Sequence, residues 1–149
     1  MSTLVESLSL EELTSLYSSQ IQPGAVFFIR DHVAQKEKFI VILGIDACRV
    51  SVGTLFINSE VNSNVIRSPE QRKLQYTLTA SKYNFLNYDS KINASVIIKR
   101  DLDLMIKILI ARNGILQGMI EISDFDYIRS IMAESKLFSK AEKQEFGLE

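Results

Sequence analysis

The sequence is poor in the residues that carry most side-chain chemistry. There is one cysteine, Cys48, in 149 residues. It has no partner for an internal disulfide and no CxxC or Cys/His cluster around it, which excludes a disulfide framework and a zinc finger. A chain of this length needs neither staple, because it can bury roughly two-thirds of its extended surface. A lone cysteine suits a reducing compartment, and Cys48 is expected as a small buried apolar residue rather than a reactive thiol. There is also one histidine, His32. A histidine-based metal cluster is therefore out, and a Ser/His/Asp triad would have to use His32. No GxGxxG, Gly-Lys-Ser/Thr phosphate loop, HExxH or GxSxG is present. Neither a metal nor a cofactor is expected.

Long apolar runs are missing too. The longest stretches fall far short of the ~20 residues that span a bilayer. The opening MSTLVESLSLEEL lacks the basic start and continuous apolar run of a secretion signal. No membrane association and a cytoplasmic location are the expectation. Lys plus Arg is 17 and Asp plus Glu is 18, for a net charge of -1. That excludes a bulk polyanion binder and leaves a local basic patch open. Hydrophobic residues at 46% and charged residues at 23% are ordinary for a folded domain, and the length fits a single one over 1–149.

Ser9-Leu10-Glu11-Glu12 has the pattern of a capping box opening a helix over 9–18, with Leu10, Leu13 and Leu16 or Tyr17 on one face. Pro23-Gly24 stops it and opens a strand from Ala25 to Arg30. The polar Arg30–Glu37 stretch is expected as a loop. Lys38–Gly44 and Arg49–Asn58 then read as strands, with Gly53 marking a bulge or bend. Asn58–Gln71, rich in Ser and Asn, is expected as a long loop. Strands follow at Leu74–Thr79 and Ile92–Ile98. Asp101 caps a helix to Ala111 whose apolar face is Leu102, Met105, Ile106 and Leu109. Gly118–Ile122 is expected as a strand, and Ser123 or Asp124 as the cap of a helix carrying Phe125, Ile128, Ile131 and Met132. Ser139 and Glu142 box a final short helix. Sequential short strands without strand–helix alternation before residue 100 predict a mainly β, α+β domain with a strongly bent antiparallel sheet or small barrel.

Candidate chemistry gathers at the strand ends. Asp101 and Asp103 stand two apart, do not face each other on a helix, and read as cap and solvated surface. In an antiparallel meander the end of the first strand, the start of the second and the end of the third share one rim. Arg30, His32, Lys36 and Lys38 can therefore meet Asn58 and Ser59 there. Cations and amide donors on one concave site suit an anion such as a phosphodiester, and histidine suits general acid/base work. The alternative is a solvated hairpin.

The order of elements resembles the PemK/MazF family of mRNA-cleaving toxins from toxin–antitoxin pairs. The resemblance rests on Pro23-Gly24-Ala25-Val26-Phe27-Phe28, the loop, the Lys38–Gly44 strand, a third strand ending Phe56-Ile57-Asn58-Ser59, Asp89-Ser90 before a strand, and Gly118–Ser123 leading into the last helix. It covers about Pro23 to Ser135, leaving the 9–18 helix and a 136–149 helical tail outside. It implies an SH3-like barrel over 23–135, a homodimer, an antitoxin partner and metal-independent endoribonuclease activity on single-stranded RNA. The family's active arginine falls on Lys38, its following proline on Phe39, and its catalytic threonine on Asn58. Lysine keeps the charge and loses the planar two-point grip; asparagine keeps a donor and lacks the hydroxyl. On this reading Lys38, Asn58, His32 and Arg30 act on the phosphate. Lys36, Ser59, Phe28 and Tyr83 hold RNA, the aromatics by stacking. The second reading is a barrel that has lost the chemistry and binds protein or RNA.

Overall fold

The computed structural model describes residues 7–31, 35–60 and 66–149. In chain order these form α1 (Leu10–Gln20), β1 (Ala25–Asp31), β2 (Lys36–Ile45), β3 (Ser51–Asn58), α2 (Pro69–Lys73), β4 (Gln75–Leu78), β5 (Ser90–Asn93), β6 (Ile98–Asp101), α3 (Leu102–Ile110), β7 (Gly114–Met119), α4 (Ile122–Glu134) and α5 (Lys140–Glu145). No helix among the described residues is long and apolar enough to cross a membrane.

The strands make one antiparallel sheet in the order β4-β5-β3-β2-β1-β7, with β6 paired to β3 off that path. β3 serves different neighbours along its length. Ser51–Thr54 pair with β6, whereas Ile57 and Asn58 pair with β5. Opposite, β2 shifts register between Ile42 and Gly44, the kind of irregularity that bends a strand.

Alternation along the strands separates two cores. On one face Phe27, Ile29, Ile40, Ile42 and Val52 pack beneath Leu102, Met105, Ile106 and Leu109 of α3. α1 lies on α3 and contributes only half-buried Tyr17, while Leu10 is exposed. On the other face Val26, Val41, Leu43, Leu55 and Ile57 pack with Ile128 and Met132 of α4 and with Phe138, Phe146 and Leu148. The 136–149 segment is thus part of the core. A Cβ on Gly44 would stand 2.6 Å from the Phe146 carbonyl oxygen, and one on Gly53 would stand 2.9 Å from the Phe146 ring. Glycine at both positions lets the C-terminal segment seat against the sheet.

The mixed α+β antiparallel character matches the sequence reading. Among the described residues the sheet does not close by strand pairing, since β4 and β7 end the order without pairing to each other. Instead the 79–89 loop lies against β7. The Phe85 ring sits 3.6 Å from where a Cβ on Gly118 would stand, and the Glu121 amide donates to the Tyr83 hydroxyl at 3.0 Å.

Several boundaries differ from expectation. The expected strand at Ile92–Ile98 is two strands, because the Asn93 side chain accepts from the Ser95 amide and hydroxyl and turns the chain. The Asn58–Gln71 loop holds the start of α2, whose Ser68–Gln71 capping box is complete. β7 starts at Gly114 and ends at Met119, before the expected Ile122. α4 starts at Ile122 with Glu121 as its N-cap and no side-chain cap bond, so Ser123 and Asp124, expected as caps, lie inside the helix, where Asp124 accepts from Tyr76. Arg49 sits in a turn at φ 56, ahead of β3. Cys48, expected to be buried, is exposed in that turn.

Candidate functional site

The β1–β2 hairpin extends further than the sequence suggests, and this fixes which side chains share a face. The register pairs Ile29 with Lys38, Arg30 with Glu37, and Asp31 with Lys36. Alternation then sends Asp31, Lys36 and Lys38 to the α3 side and Arg30 and Glu37 to the other. In β3, Thr54, Phe56 and Asn58 share the α3 side. Arg100 of β6 joins them through its pairing with Val52.

Beyond the end of α3 these residues form a cluster. The Lys38 ammonium donates to Asn58 Oδ1. It also lies 5.2 Å from the centre of the Phe56 ring. The Arg100 guanidinium carbon lies 5.8 Å from the same ring, so two cations share one aromatic. Arg100 Nη1 meets Asp31 Oδ1 at 2.6 Å, and its Nε donates to Thr54 Oγ1 at 2.9 Å. Thr54 in turn donates to the Ile98 carbonyl. Asp31 is 1% exposed. Lys91, in register with Asn58, holds Thr77 just beyond.

Lys38 has its pKa lowered. Burial is the main cause, repulsion from Lys36 adds to it, and Asp31 opposes it. A half-buried ammonium in this state gains from an anion more than a fully solvated lysine would. At the same rim a cleft of about 270 Å³ is lined by Lys36, Glu37, Lys38, Phe28, Phe39 and Ser59, with Asn87 and Tyr88 of the 79–89 loop across from them.

The expected site is brought together in part. Lys38 and Asn58 meet, and Lys38 lines the cleft together with Phe28, Lys36 and Ser59. Arg30 is exposed on the face away from the Lys38–Asn58 contact. His32 lies outside the described residues. Tyr83, expected to stack on RNA, is 4% exposed with its ring in the core. Asp31, Thr54, Phe56 and Arg100 were not expected. The period-two pattern Phe27, Ile29, Asp31 does carry a signal for Asp31. Arg100 has none without β6, a strand of 4 residues.

A second polar cluster sits under α4. Asp124 accepts from the hydroxyls of Tyr76 and Tyr83 and from Lys82 Nζ at 2.9 Å. Burial by itself raises the Asp124 pKa, but the bonds from Tyr76, Tyr83 and Lys82 outweigh it and hold the carboxyl below 3.8. Tyr76 is pushed up to about 12, chiefly by its bond to Asp124 and then by burial. Tyr83 is raised as well, by burial first and the Asp124 bond second. Every oxygen of this carboxylate has a donor, which is the pattern of a structural anchor.

No family model matches the chain, and no curated protein matches it significantly in sequence. Among the described residues no three His, Cys, Asp or Glu side chains gather as metal ligands would.

Proposed function

We propose that the chain binds single-stranded RNA at the β1–β2–β3 rim and acts as a PemK/MazF-like, metal-independent endoribonuclease of a toxin–antitoxin pair. The observation that carries this reading is Lys38. It is half-buried, depressed in pKa, held by Asn58 over Phe56 and flanked by Lys91 and Arg100. A phosphodiester seated there would displace Asn58 from one ammonium proton and gain the charge-assisted bond. The 2′-hydroxyl attacks the adjacent phosphorus, the 5′-oxygen leaves with a proton, and the products are a 2′,3′-cyclic phosphate and a 5′-hydroxyl. Lys38 stabilises the charge that develops on the phosphoryl oxygens. His32, which falls between β1 and β2 in the sequence, is the residue proposed to move the protons.

The bent antiparallel sheet, with β3 shared between β5 and β6, supports a barrel-type architecture of that family. A protein partner, an antitoxin or a second copy, belongs to the same reading. Ile115, Leu116, Met119 and Ile122 are exposed along and just after β7, an edge strand in the sheet order, and this is surface that a partner would cover.

A second reading keeps the RNA site and removes the cleavage. It is favoured by Asn58, which lacks a hydroxyl, and by Arg100, whose charge Asp31 already balances at 2.6 Å. Incubation of purified protein with a labelled single-stranded RNA separates the two. The expected result is cleavage to 2′,3′-cyclic ends, lost in Lys38→Ala together with about tenfold of the affinity. Tight binding of intact RNA selects the second reading. Absence of both binding and cleavage ends the RNA assignment.

A further inference from the structure

The sheet is covered unevenly on the α3 side. The core under α3 draws on β1, β2 and β3 and takes no residue from β4 or β5. Past the Lys38–Asn58 contact the same face continues as a polar surface. Asn58 pairs with Lys91 of β5, and Lys91 pairs with Thr77 of β4. Two residues along, Asn93 of β5 pairs with Gln75 of β4. Directly paired residues share a face, and so do residues two apart on a strand. The alternate residues Ile57, Ile92 and Leu78 belong to the other core. Thr77 is exposed, and Asn58, Lys91, Asn93 and Gln75 are half-buried. Neither β4 nor β5 contains an acidic residue.

The side-chain acceptors of Asn58, Asn93 and Thr77 are already used within the fold. Asn58 Oδ1 accepts from Lys38. Asn93 Oδ1 accepts from Gln75 Nε2 at 2.8 Å and from the Ser95 amide and hydroxyl. Thr77 Oγ1 accepts from Lys91. What these groups keep for a ligand are donors: the side-chain NH2 of Asn58 and Asn93, the Thr77 hydroxyl proton and the further protons of the Lys91 ammonium. Donors around a positive charge, on strands without a carboxylate, are complementary to an anion. Neighbouring strands stand about 4.8 Å apart, so Lys38 and Lys91, with β3 between them, are roughly 10 Å apart at the backbone. Lys38 leans on Asn58 and Lys91 leans away, on Thr77. The two ammonium groups therefore mark separate positions.

We infer that the uncovered face of β5 and β4 is a second backbone subsite, where Lys91, Thr77 and the Asn58 and Asn93 amides hold a phosphate next along the chain from the one at Lys38. The inference rests on the RNA-binding reading above and adds the course of the strand, which crosses β2, β3, β5 and β4 rather than running along them. Contacts of this kind position the chain and read no base.

The test is fluorescence anisotropy of the full chain with a labelled, mixed-sequence RNA hexamer at several salt concentrations. The hexamer carries 2′-O-methyl groups, so no 2′-hydroxyl can attack the phosphate during the measurement. Lys91→Gln is expected to weaken the hexamer about tenfold at low salt. It should also flatten the dependence of log affinity on log salt by about 0.7, the loss of one phosphate contact. A dinucleotide with a single phosphate, used as competitor, should have the same inhibition constant against wild type and Lys91→Gln. Lys38→Gln should weaken hexamer and dinucleotide alike. Lys107→Gln, an equal charge change on exposed α3 surface, should leave the hexamer within about twofold of wild type. An unchanged urea midpoint of Lys91→Gln checks that the fold is kept. The subsite alone is overturned if Lys38→Gln weakens the hexamer while Lys91→Gln leaves affinity and salt slope at wild-type values. It is also overturned if a hexaglutamate peptide binds as tightly as the hexamer and depends equally on Lys91, which assigns the face to an acidic peptide. If wild type binds no hexamer, the subsite and the RNA reading fall together.

Discussion

Two buried carboxylates, Asp31 and Asp124, sit in opposite situations. Asp124 is saturated by two tyrosine hydroxyls and Lys82. Those donors come from β4 and the 79–89 loop and the acceptor is on α4, so the cluster fastens the helix that covers the second core. Asp31 is paired with Arg100 at one edge of a group that also holds Lys38, Asn58 and Phe56 and that opens toward solvent. Lys38 there has its charge made less favourable by burial and by Lys36. One cluster has used its hydrogen-bonding capacity to hold the fold together. The other holds a cation whose charge is disfavoured by burial and by Lys36, at the rim where RNA binding is proposed.

The comparison is broken most severely at Asp124. Asp124→Ala leaves two tyrosine hydroxyls short of an acceptor and should cost about 3–4 kcal/mol in urea unfolding, with RNA affinity retained in the folded fraction. A loss under 1 kcal/mol would mean that the cluster is not an anchor.

Asp31→Ala is the next largest. It removes the counter-charge of Arg100 and should cost about 2–3 kcal/mol, while Asp31→Leu with Arg100→Met should recover most of it. The affinity for RNA should rise in Asp31→Ala, because Arg100 becomes available, and fall in the double variant. Equal stability of the single and double variants would show that the pair does not act as a unit.

The pH dependence of stability sharpens the same contrast. Asp124 has its folded pKa below 3.8, so its contribution is complete above that value and is lost as pH falls through the folded value. Tyr76 is raised from 10.0 to about 12, so its neutral form favours the fold and stability declines as pH rises between those values. Chemical denaturation across pH should show both slopes, and Asp124→Asn should flatten the acid one.

The smallest effect on stability belongs to Lys38. Its ammonium is disfavoured by the fold, so Lys38→Met should raise the urea midpoint slightly while abolishing the phosphate contact. A lower midpoint would show that the bond to Asn58 outweighs the burial cost.

Local grammar made part of this legible in advance. The capping boxes at Ser9 and Ser139, the Asp101 cap and the apolar face of α3 are all where the spacing puts them. They depend on contacts within one turn of a helix, and such contacts are written in adjacent residues. The meeting of Lys38 with Asn58 was also legible, because an antiparallel meander brings those strand ends together. Arg30 falls on the other side because β1 runs one residue past its expected end, to Asp31, and β2 begins two residues before its expected start, at Lys36. With those residues placed in the loop, the alternation that separates Arg30 from Lys38 was hidden. Tyr83 read as an exposed stacking residue because nothing near it in sequence announces Asp124, 41 residues further on.

By itself the sequence determined the antiparallel α+β character, the strand-rich first two-thirds and the rim at which cations collect, since these follow from short-range periodicity, turn residues and chain order. The tertiary structure alone decided that the sheet ends without strand pairing, that the 136–149 segment completes a core, and that Arg100 and Asp31 flank Lys38. Those outcomes turn on strand pairing and close approach between distant residues: β6 against β3, Phe146 against Gly44 and Gly53, and Tyr83 against Asp124. Each is set by which faces the folded chain brings together, and no stretch of neighbouring residues carries that information.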